Sequence, residues 1–241
     1  MGKDFNKESS SYIFTFAMII CVVCSFSLAL VSQGLKAKKE TNIALDIKKN
    51  ILKAVNLEEH LALKASATEI EAAYENKIEE LVIDPSGNIV EGKSPKDIVE
   101  GESLYPVYVY KEGSQKKAYC FPIVGKGLWS TLYGYLALEP DAMTVRGITY
   151  YDHGETPGLG AEIEKDWFQN NFKGKKIWDL KENKLHPVAV VKGKVADKYS
   201  GENAQFYVDG ISGATMTSKG VTEMIARELN KYEPFFQKIR K

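Results

Sequence analysis

The stretch Asp209–Ser218 reads DGISGATMTS and lies between a strand-like FYV segment, residues 206–208, and the amphipathic run Val221–Leu229. Glycine and hydroxyl residues directly before a helix suit an anion, because the first amides of a helix are unpaired donors and its dipole favours negative charge there. The same residues are also typical of a plain helix N-cap followed by a polar turn. The stretch therefore predicts a strand, a loop and a C-terminal helix from Thr217 onward, with an anion site as one of two interpretations of the loop.

Upstream of this unit, short apolar runs separated by turn residues predict a mainly antiparallel sheet. The run 81–83, the turn Asp84–Asn88 and the pair Ile89–Val90 predict a hairpin. Strands and helices do not alternate regularly as βαβ units, so the predicted fold class is α+β with flanking helices. The other predicted strands are Tyr105–Tyr110, Ala118–Val124, Tyr133–Glu139, Thr144–Tyr151 and Val188–Val195, and a helix is predicted over Glu162–Phe172.

Two further helices are predicted before the sheet. Apolar residues at a spacing of four over Thr41–Leu57, among them Ile51, predict one amphipathic helix. Ser66 followed by Glu69 is a capping-box pattern, which predicts that a second helix, Ser66–Glu80, begins here. Both helices lie between an apolar N-terminal segment and the sheet.

That apolar segment, Tyr12–Ser32, contains no charged residue. It has the length of a helix that spans a bilayer, which is about 20 residues. A cleaved signal peptide is the alternative, since Ser27-Leu28-Ala29 is a small-x-small pattern, although the apolar region of a signal peptide is shorter. Cys21 and Cys24 lie on one helical face, where they either pack in lipid or supply half of a metal or cluster site. The segment predicts an N-terminal membrane anchor.

The charges beside the span bear on orientation. Lys3 and Lys7 precede the span, while Lys36, Lys38 and Lys39 follow it. The positive-inside rule alone therefore favours a cytoplasmic position for the large domain. The predicted parts of the chain are a short N-terminal segment at 1–11, the span at 12–32, and one domain at 33–241 whose core covers about 81–241.

Charge and motif content exclude several classes of protein. The chain of 241 residues has 32 Lys plus Arg and 32 Asp plus Glu, so no net basic field gathers nucleic acid. Three cysteines are too few for a disulfide framework, and Cys120 lies in an apolar strand, which predicts burial. His60 and His186 have no partner at metal spacing, so no metal site is predicted. The glycines of residues 157–160 do not complete a dinucleotide-binding motif, because its sixth position falls on Ile163.

Three segments together resemble the family of FMN-binding domains. DGISGAT at residues 209–215 resembles its flavinylation motif, and YDHGETPGLG at residues 151–160 resembles its HxETPGLG segment. GLWSTLYGY at residues 127–135 resembles a strand entry found in one branch, the NqrC-type subunits of the Na⁺-translocating NADH:quinone reductases, and the similarity covers essentially the whole chain. The resemblance implies that FMN is esterified through its phosphate to Thr215, by a separate Mg²⁺-dependent flavin transferase that uses FAD.

The resemblance also implies roles for residues around Thr215, each beside a structural alternative. Asp209 belongs to the recognised motif, and a long side chain at Gly213 is expected to exclude the phosphate. Trp129 either stacks on the flavin or is a core residue, and His153 either donates a hydrogen bond or proton near the flavin or is structural. The residues expected around the phosphate are Ser212, Gly213, Ala214, Thr217 and Ser218, and those expected around the flavin ring are Glu155, Thr156, Gly158, Leu159 and Gly160, a segment that is otherwise a plain turn.

By resemblance, the chain is an electron-carrier subunit without a complete active site of its own, and the flavin supplies the redox chemistry. Electrons from NADH would arrive through an iron–sulfur centre, pass to a second covalent FMN on a neighbouring subunit, and reach quinone within a complex of subunits A, B, D, E and F that exports Na⁺. The family has its large domain on the periplasmic side of the bacterial inner membrane, with a cytoplasmic N-terminus, against the charge bias. Two alternatives stay open: the homologous flavin subunit, RnfG, of the Rnf ferredoxin:NAD complex, and a cofactor-free membrane-anchored binding protein.

Overall fold

The computed structural model describes residues 9–56 and 66–240. Lys3 and Lys7, which bear on the predicted orientation, Leu57, which ends a predicted helix, and His60, which was considered for a metal site, lie outside the described residues. Two compact units divide the chain, Met1–Leu45 and Asp46–Lys241.

Helix α1, Ser10–Ala54, is one continuous helix of 45 residues. It contains the predicted span, and its N-terminal part is long and apolar enough to cross a membrane. The prediction that Thr41–Leu57 forms a separate helix is wrong, because residues 41–54 are the C-terminal part of α1. Residues 35–40 read LKAKKE, which are strong helix formers, so nothing in the sequence between the span and Thr41 ends the helix.

Five strands form one antiparallel sheet in sequential order, which confirms the predicted α+β fold class. The predicted hairpin after the first strand forms a single bridge, Ile83 to Ile89. Asp84 shapes its turn by accepting amide hydrogen bonds from Ser86 and Asn88, both at 2.9 Å. The strands are β1 Ile78–Ile83, β2 Tyr105–Glu112, β3 Gln115–Lys126, β4 Thr131–Leu138 and β5 Val145–Asp152.

One face of this sheet is covered by helix α2, Ala67–Lys77, and by the last turns of α1. The predicted capping box starts α2, because the Ser66 amide donates to the Glu69 carboxylate at 2.7 Å and the Ser66 hydroxyl accepts from the Glu69 amide. At the end of α1, the Arg146 guanidinium donates to the carbonyl of Val55 at 2.7 Å. These contacts lie within the larger compact unit.

Helix α4, Thr215–Ile239, packs on the opposite face, chiefly against β3. The rings of Tyr232 and Phe236 lie 4.4 Å and 5.4 Å from the ring of Phe121, measured between centroids. At Gly220 the helix is so close to the sheet that a Cβ would overlap the carbonyl oxygen of Lys126. Because Lys126 ends β3, this contact places the start of α4 beside the turn that follows β3.

Short elements fill the segment between β5 and α4, and two predictions fail there. The predicted helix Glu162–Phe172 is a 3₁₀ turn, Gly160–Glu164, followed by the short helix α3, Asp166–Asn170. Lys165 between them has extended backbone, with φ −78° and ψ 143°. A continuous helix would place Ile163 and Phe168 on different faces, whereas this break lets both be fully buried.

The predicted strand Val188–Val195 shortens to two residues, β8, Ala189–Val190. It pairs in parallel with β9, Tyr207–Val208, which ends where the loop from Asp209 begins, so the ladder cannot continue. The remaining strands, β6 (Trp178–Asp179) and β7 (Lys184–Leu185), have two residues each and pair antiparallel.

Arg240 ties the end of α4 to this segment. Its guanidinium pairs with the Glu233 carboxylate at 2.7 Å, donates to the carbonyl of Ala142 at 2.8 Å, and lies 4.1 Å from the ring centroid of Trp178. The side chains of Arg240 and Glu233 are 9% and 13% exposed. The pair is therefore largely removed from water.

Candidate functional site

Thr215 is the first residue of α4, so the helix starts two residues before the predicted Thr217. Ala214 occupies the N-cap position without a side-chain acceptor, and the first turn contains no acidic residue. The amide of Ser218 bonds to the carbonyl of Ala214 at 2.9 Å, which begins the helical ladder. The amides of residues 215–217 come before this first bond, so they have no carbonyl partner within the helix. They are therefore available to bind an anion at the N-terminus of α4.

Gly213 explains the early start of the helix. Its φ of +73° is a left-handed conformation that favours glycine, and it turns the chain into the helix. A Cβ here would lie 2.7 Å from Cδ2 of Leu159. The loop before α4 and the Glu155–Gly160 segment, which are distant in sequence, therefore meet at this glycine, and a larger residue would be strained and would displace Leu159.

A cleft of about 1040 Å³ opens beside Thr215. One wall is the first two turns of α4, another is the loop before it, and a third is the segment from β8 onward, with Trp167 of α3 at the rim. The predicted site residues that line the cleft are Asp209, Ser212, Gly213, Thr215 and Ser218.

Lysines dominate the charged lining of the cleft: Lys192, Lys194, Lys198 and Lys219, against Asp209 and Glu223. Both acidic side chains already have partners. Asp209 accepts a hydrogen bond from the amide of Val195 at 2.7 Å, and Glu223 lies 3.6 Å from Lys219. The cleft therefore has a local excess of positive charge in a chain that is neutral overall.

Besides the uncapped amides and the lysines, Ser218 also indicates a polar ligand. Its residue is 6% exposed, it lines the cleft, and its hydroxyl oxygen has no hydrogen-bond partner among the described residues. A buried hydroxyl without a partner is costly unless a ligand satisfies it. The donors here are first-turn amides, a hydroxyl and lysines, a set whose chemistry fits a phosphate group.

Glu155 does not line this cleft; it is buried and contacts Thr217 in the first turn of α4. Its carboxylate accepts hydrogen bonds from the amides of Leu128, Trp129 and Ser130 at 3.2, 2.9 and 3.3 Å, and from the hydroxyl of Thr217 at 2.5 Å. Burial alone would raise the pKa of Glu155, but these four hydrogen bonds outweigh it and hold the pKa below its ordinary value. The carboxylate is thus ionised at neutral pH.

Trp129 is 71% exposed, so the interpretation of it as a core residue is wrong. Its neighbour Leu128 is 52% exposed. His153 directly follows β5: its Nδ1 accepts the amide hydrogen bond of Glu155 at 3.3 Å, and its Nε2 lies 3.5 Å from the carboxylate of Glu164. The geometry gives His153 a role in shaping the Glu155 segment.

The other predicted residues of this segment, Thr156, Gly158, Leu159 and Gly160, form the turn that follows Glu155. The carbonyl of Thr156 accepts amide hydrogen bonds from Leu159 and Ala161, both at 3.1 Å, and Gly158 has a φ of +75°. A Cβ at Gly160 would lie 2.6 Å from the Thr217 hydroxyl. The turn therefore packs directly on the start of α4.

Trp167 and the four cleft lysines were not predicted from the sequence. They belong to α3, to the segment after β8 and to α4, and only the fold brings them together. Single lysines and a single tryptophan carry no local pattern. The one available signal was the density of lysine in residues 192–198, which reads KGKVADK.

The cysteines do not contribute to this cleft. Cys21 and Cys24 are exposed on α1, and Cys120 is fully buried in β3, as predicted. Across residues 9–56 and 66–240, no group of three histidine, cysteine, aspartate or glutamate side chains could hold a metal ion.

Known proteins resemble this chain in sequence. Residues 127–230 match a family model described as the FMN-binding domain. The C subunit of the Na(+)-translocating NADH-quinone reductase from Yersinia pestis is 34% identical, over 99% of this chain and 96% of its own length. The same subunit from Haemophilus ducreyi is 36% identical, over 90% of this chain and 88% of its own length.

Solved structures resemble it in fold. The crystal structure of the corresponding Na(+)-translocating NADH-quinone reductase subunit from Parabacteroides distasonis has a TM-score of 0.70 and 38% identity, and it covers 84% of this chain and 96% of its own. The crystal structure of NqrC from Shewanella oneidensis has a TM-score of 0.69 and 25% identity, covering 84% of this chain and 99% of its own. The five-stranded sheet and its flanking helices are thus an architecture already known for this subunit.

Proposed function

The chain belongs to the NqrC family, the C subunits of the Na(+)-translocating NADH-quinone reductases, with an FMN-binding domain, and from that premise we propose that it carries electrons on an FMN joined covalently to Thr215. The single observation that carries the proposal is the position of Thr215. It is the first residue of a 25-residue helix, it lines the cleft, and uncapped amides and the unpartnered Ser218 hydroxyl lie beside it.

The residues of this chain would hold and orient the cofactor. The first-turn amides of α4 and the Ser218 hydroxyl would bind the phosphate oxygens, and the cleft lysines would offset their charge. Thr215 would give its oxygen to the phosphoester: the hydroxyl loses its proton, the P–O–P bond of an FAD donor breaks, and AMP leaves. When bound, FMN supplies one- and two-electron redox chemistry, which side chains cannot supply.

The wider assignment follows from the same family. We propose that electrons reach this subunit from an iron–sulfur centre and leave to a second flavin subunit, in a complex with subunits A, B, D, E and F. The apolar part of α1 would anchor the chain in the bacterial inner membrane as a single span, with residues 33–241 as the periplasmic domain. A flavin transferase would be needed for maturation.

The test is the intact mass of the full chain purified from its native host, followed by mapping of the peptide that contains Thr215. The expected result is a gain of one FMN less one water on Thr215, which Thr215→Val abolishes. Thr68→Val, which makes the same change at an exposed threonine of α2, is the matched control and is expected to keep the full gain. An unmodified Thr215 in the native chain would refute the proposal and favour a cofactor-free anchored binding protein.

A further inference from the structure

We infer that Glu155 is a positioning residue of the flavin site, which holds the turn carrying Trp129 against the turn of α4 that carries Thr215. This inference rests on the proposed function, since it gives Glu155 a role at the site where the flavin would be attached. It differs from the expectation that Glu155 touches the cofactor itself. The reason is that both oxygens of the carboxylate are already used inside the protein.

The contacts of Glu155 join two parts of the chain that are far apart in sequence. Three of its four donors are consecutive backbone amides in the turn between β3 and β4, residues 128–130. The fourth is the hydroxyl of Thr217, which is 1% exposed and lies two residues after Thr215. One side chain therefore connects the backbone of the exposed Trp129 to the first turn of the helix that begins at Thr215.

The surroundings leave little room for any other arrangement. A Cβ at Gly127 would lie 2.5 Å from Oε1 of Glu155, and a Cβ at Gly160 would lie 2.7 Å from Oε2. The close approach of α4 to β3 at Gly220 brings the same two segments together. The carboxylate thus occupies a space that only small neighbours leave open.

The chemistry of the donors requires a carboxylate. All four donors are neutral, and the hydroxyl of Thr217, which is 1% exposed, needs an acceptor inside the protein. A carboxylate is an acceptor only, with room for about four hydrogen bonds. Glutamine has one acceptor oxygen, and its amide group would direct hydrogen atoms at backbone N–H groups. A Glu155→Gln change therefore keeps the shape of the side chain but removes half of its contacts.

The consequence lies at Trp129. Trp129 is 71% exposed, so packing does little to hold it, whereas the hydrogen bonds of Glu155 to its amide and to both neighbouring amides hold the backbone that carries it. A ring that must lie at a defined distance from an attached flavin needs such a fixed backbone. Glu155 would act on the flavin through Trp129, without touching it.

The test is a double-mutant cycle between Glu155 and Trp129, read by the visible circular dichroism of the attached flavin in the full chain. Glu155→Gln is expected to reduce the dichroic signal, measured per attached flavin, by about twofold, as Trp129→Ala does. In the Trp129→Ala background the same change is expected to have no further effect. Glu75→Gln, an exposed glutamate on α2, is the matched control and is expected to leave the signal unchanged.

Several outcomes would overturn the inference. An unchanged dichroic signal in Glu155→Gln would do so. An equal loss of signal from Glu155→Gln in the native and Trp129→Ala backgrounds would also do so, because it would mean that Glu155 contacts the flavin or that the variant is generally disordered. If Glu155→Gln does not fold, Thr217→Val serves instead: it removes one of the four hydrogen bonds, and it must show the same dependence on Trp129.

A failure of the proposed function would look different. If the native chain has no flavin on Thr215, the positioning role is tested by hydrogen exchange of the amides at residues 128–130 in the flavin-free chain. We expect these amides to exchange about tenfold faster in Glu155→Gln than in Glu75→Gln. Equal rates would refute the role of Glu155 whatever the fate of the flavin.

Discussion

Glu155 is a buried charge that is held by neutral donors, and this makes its contribution to stability depend on pH in a defined direction. Its folded-state pKa lies below its ordinary value of 4.5, so its stabilising effect is fully present above pH 4.5 and is lost as the pH falls through the folded-state pKa. We expect Glu155→Gln to lower the free energy of unfolding by about 2 kcal/mol at pH 7, because the buried Thr217 hydroxyl and the amides of residues 128–130 lose a charged acceptor.

Denaturant unfolding of the full chain in detergent, repeated from pH 7 to strongly acidic pH, measures this effect. The difference between the native chain and Glu155→Gln is expected to shrink as the pH falls below 4.5. Glu75→Gln should follow the native chain throughout. A difference that stays constant over the whole pH range would show that the carboxylate charge is not the origin of the effect.

Residues in one contiguous motif were predictable, and residues assembled by the fold were not. Thr215 and Ser218 could be assigned to a site because ten consecutive residues carry the pattern. The role of Glu155 could not, because its donors lie some 27 and 62 positions away in the chain. The exposure of Trp129 also depends on the turn that presents it, and a tryptophan beside an apolar strand is equally typical of a core.

At the scale of elements, the contact between α4 and β3 controls the position of the site. Gly220→Ala would force a methyl group onto the carbonyl oxygen of Lys126. We expect a net loss of about 1–2 kcal/mol in the free energy of unfolding, because the overpacking penalty exceeds the gain in helix propensity. Gly34→Ala, in α1 where a Cβ meets no atom within 4 Å, is the matched glycine control.

The same variant should also report on the site. Because the contact lies five residues after Thr215, a shifted helix start is expected to lower the fraction of chains that carry FMN in the intact mass. Gly34→Ala should leave that fraction unchanged. Full occupancy and full stability in Gly220→Ala would mean that the helix can move without consequence for Thr215.

The other end of α4 depends on Arg240. Its ion pair with Glu233 is largely buried, and its guanidinium also binds the carbonyl of Ala142 and stacks on Trp178. We expect Arg240→Ala to cost about 2–3 kcal/mol in the free energy of unfolding, because it leaves Glu233 unpaired. Arg240→Lys keeps the charge but not the planar fork, so an intermediate loss is expected in the same denaturant experiment. A loss below experimental error in both variants would show that the end of α4 is frayed in solution.

Most elements of the fold were predictable, and the exceptions have local causes. Four strands of the main sheet and the second half of β1 were predicted because their apolar and turn residues repeat in a simple pattern. Residues 78–80 were assigned to the predicted helix Ser66–Glu80, but that helix ends at Lys77 because these residues pair with Tyr108–Tyr110 of β2. The break at Lys165 and the short β8 were not, because tertiary contacts decide them: Ile163 and Phe168 must both be buried, and the partner strand of β8 ends at Val208. Such tertiary contacts override the helix and strand propensities of the local sequence.

At the scale of the whole molecule, charge is balanced, with 32 basic and 32 acidic residues, so electrostatic attraction to lipid headgroups is weak. Membrane association is therefore expected to depend on the apolar part of α1. We expect the chain to stay with membranes in a high-salt wash and to be released by detergent. The double variant Ile20→Arg/Val23→Arg, whose charges each cost about 3 kcal/mol at the centre of a span, should reduce the membrane-bound fraction. Release of the native chain by salt alone would contradict an anchor.

The position of α4 after the sheet in the sequence also has a consequence in time. Synthesis reaches β3 long before α4, since β3 is Gln115–Lys126 and α4 is Thr215–Ile239. Until α4 has left the ribosome, Phe121 lacks the rings of Tyr232 and Phe236, and Thr215 is not the first residue of a helix. The core of the sheet and the start of α4 therefore form together, once α4 has been made. If a transferase recognises this folded arrangement, a nascent chain that still lacks α4 is expected to stay unmodified.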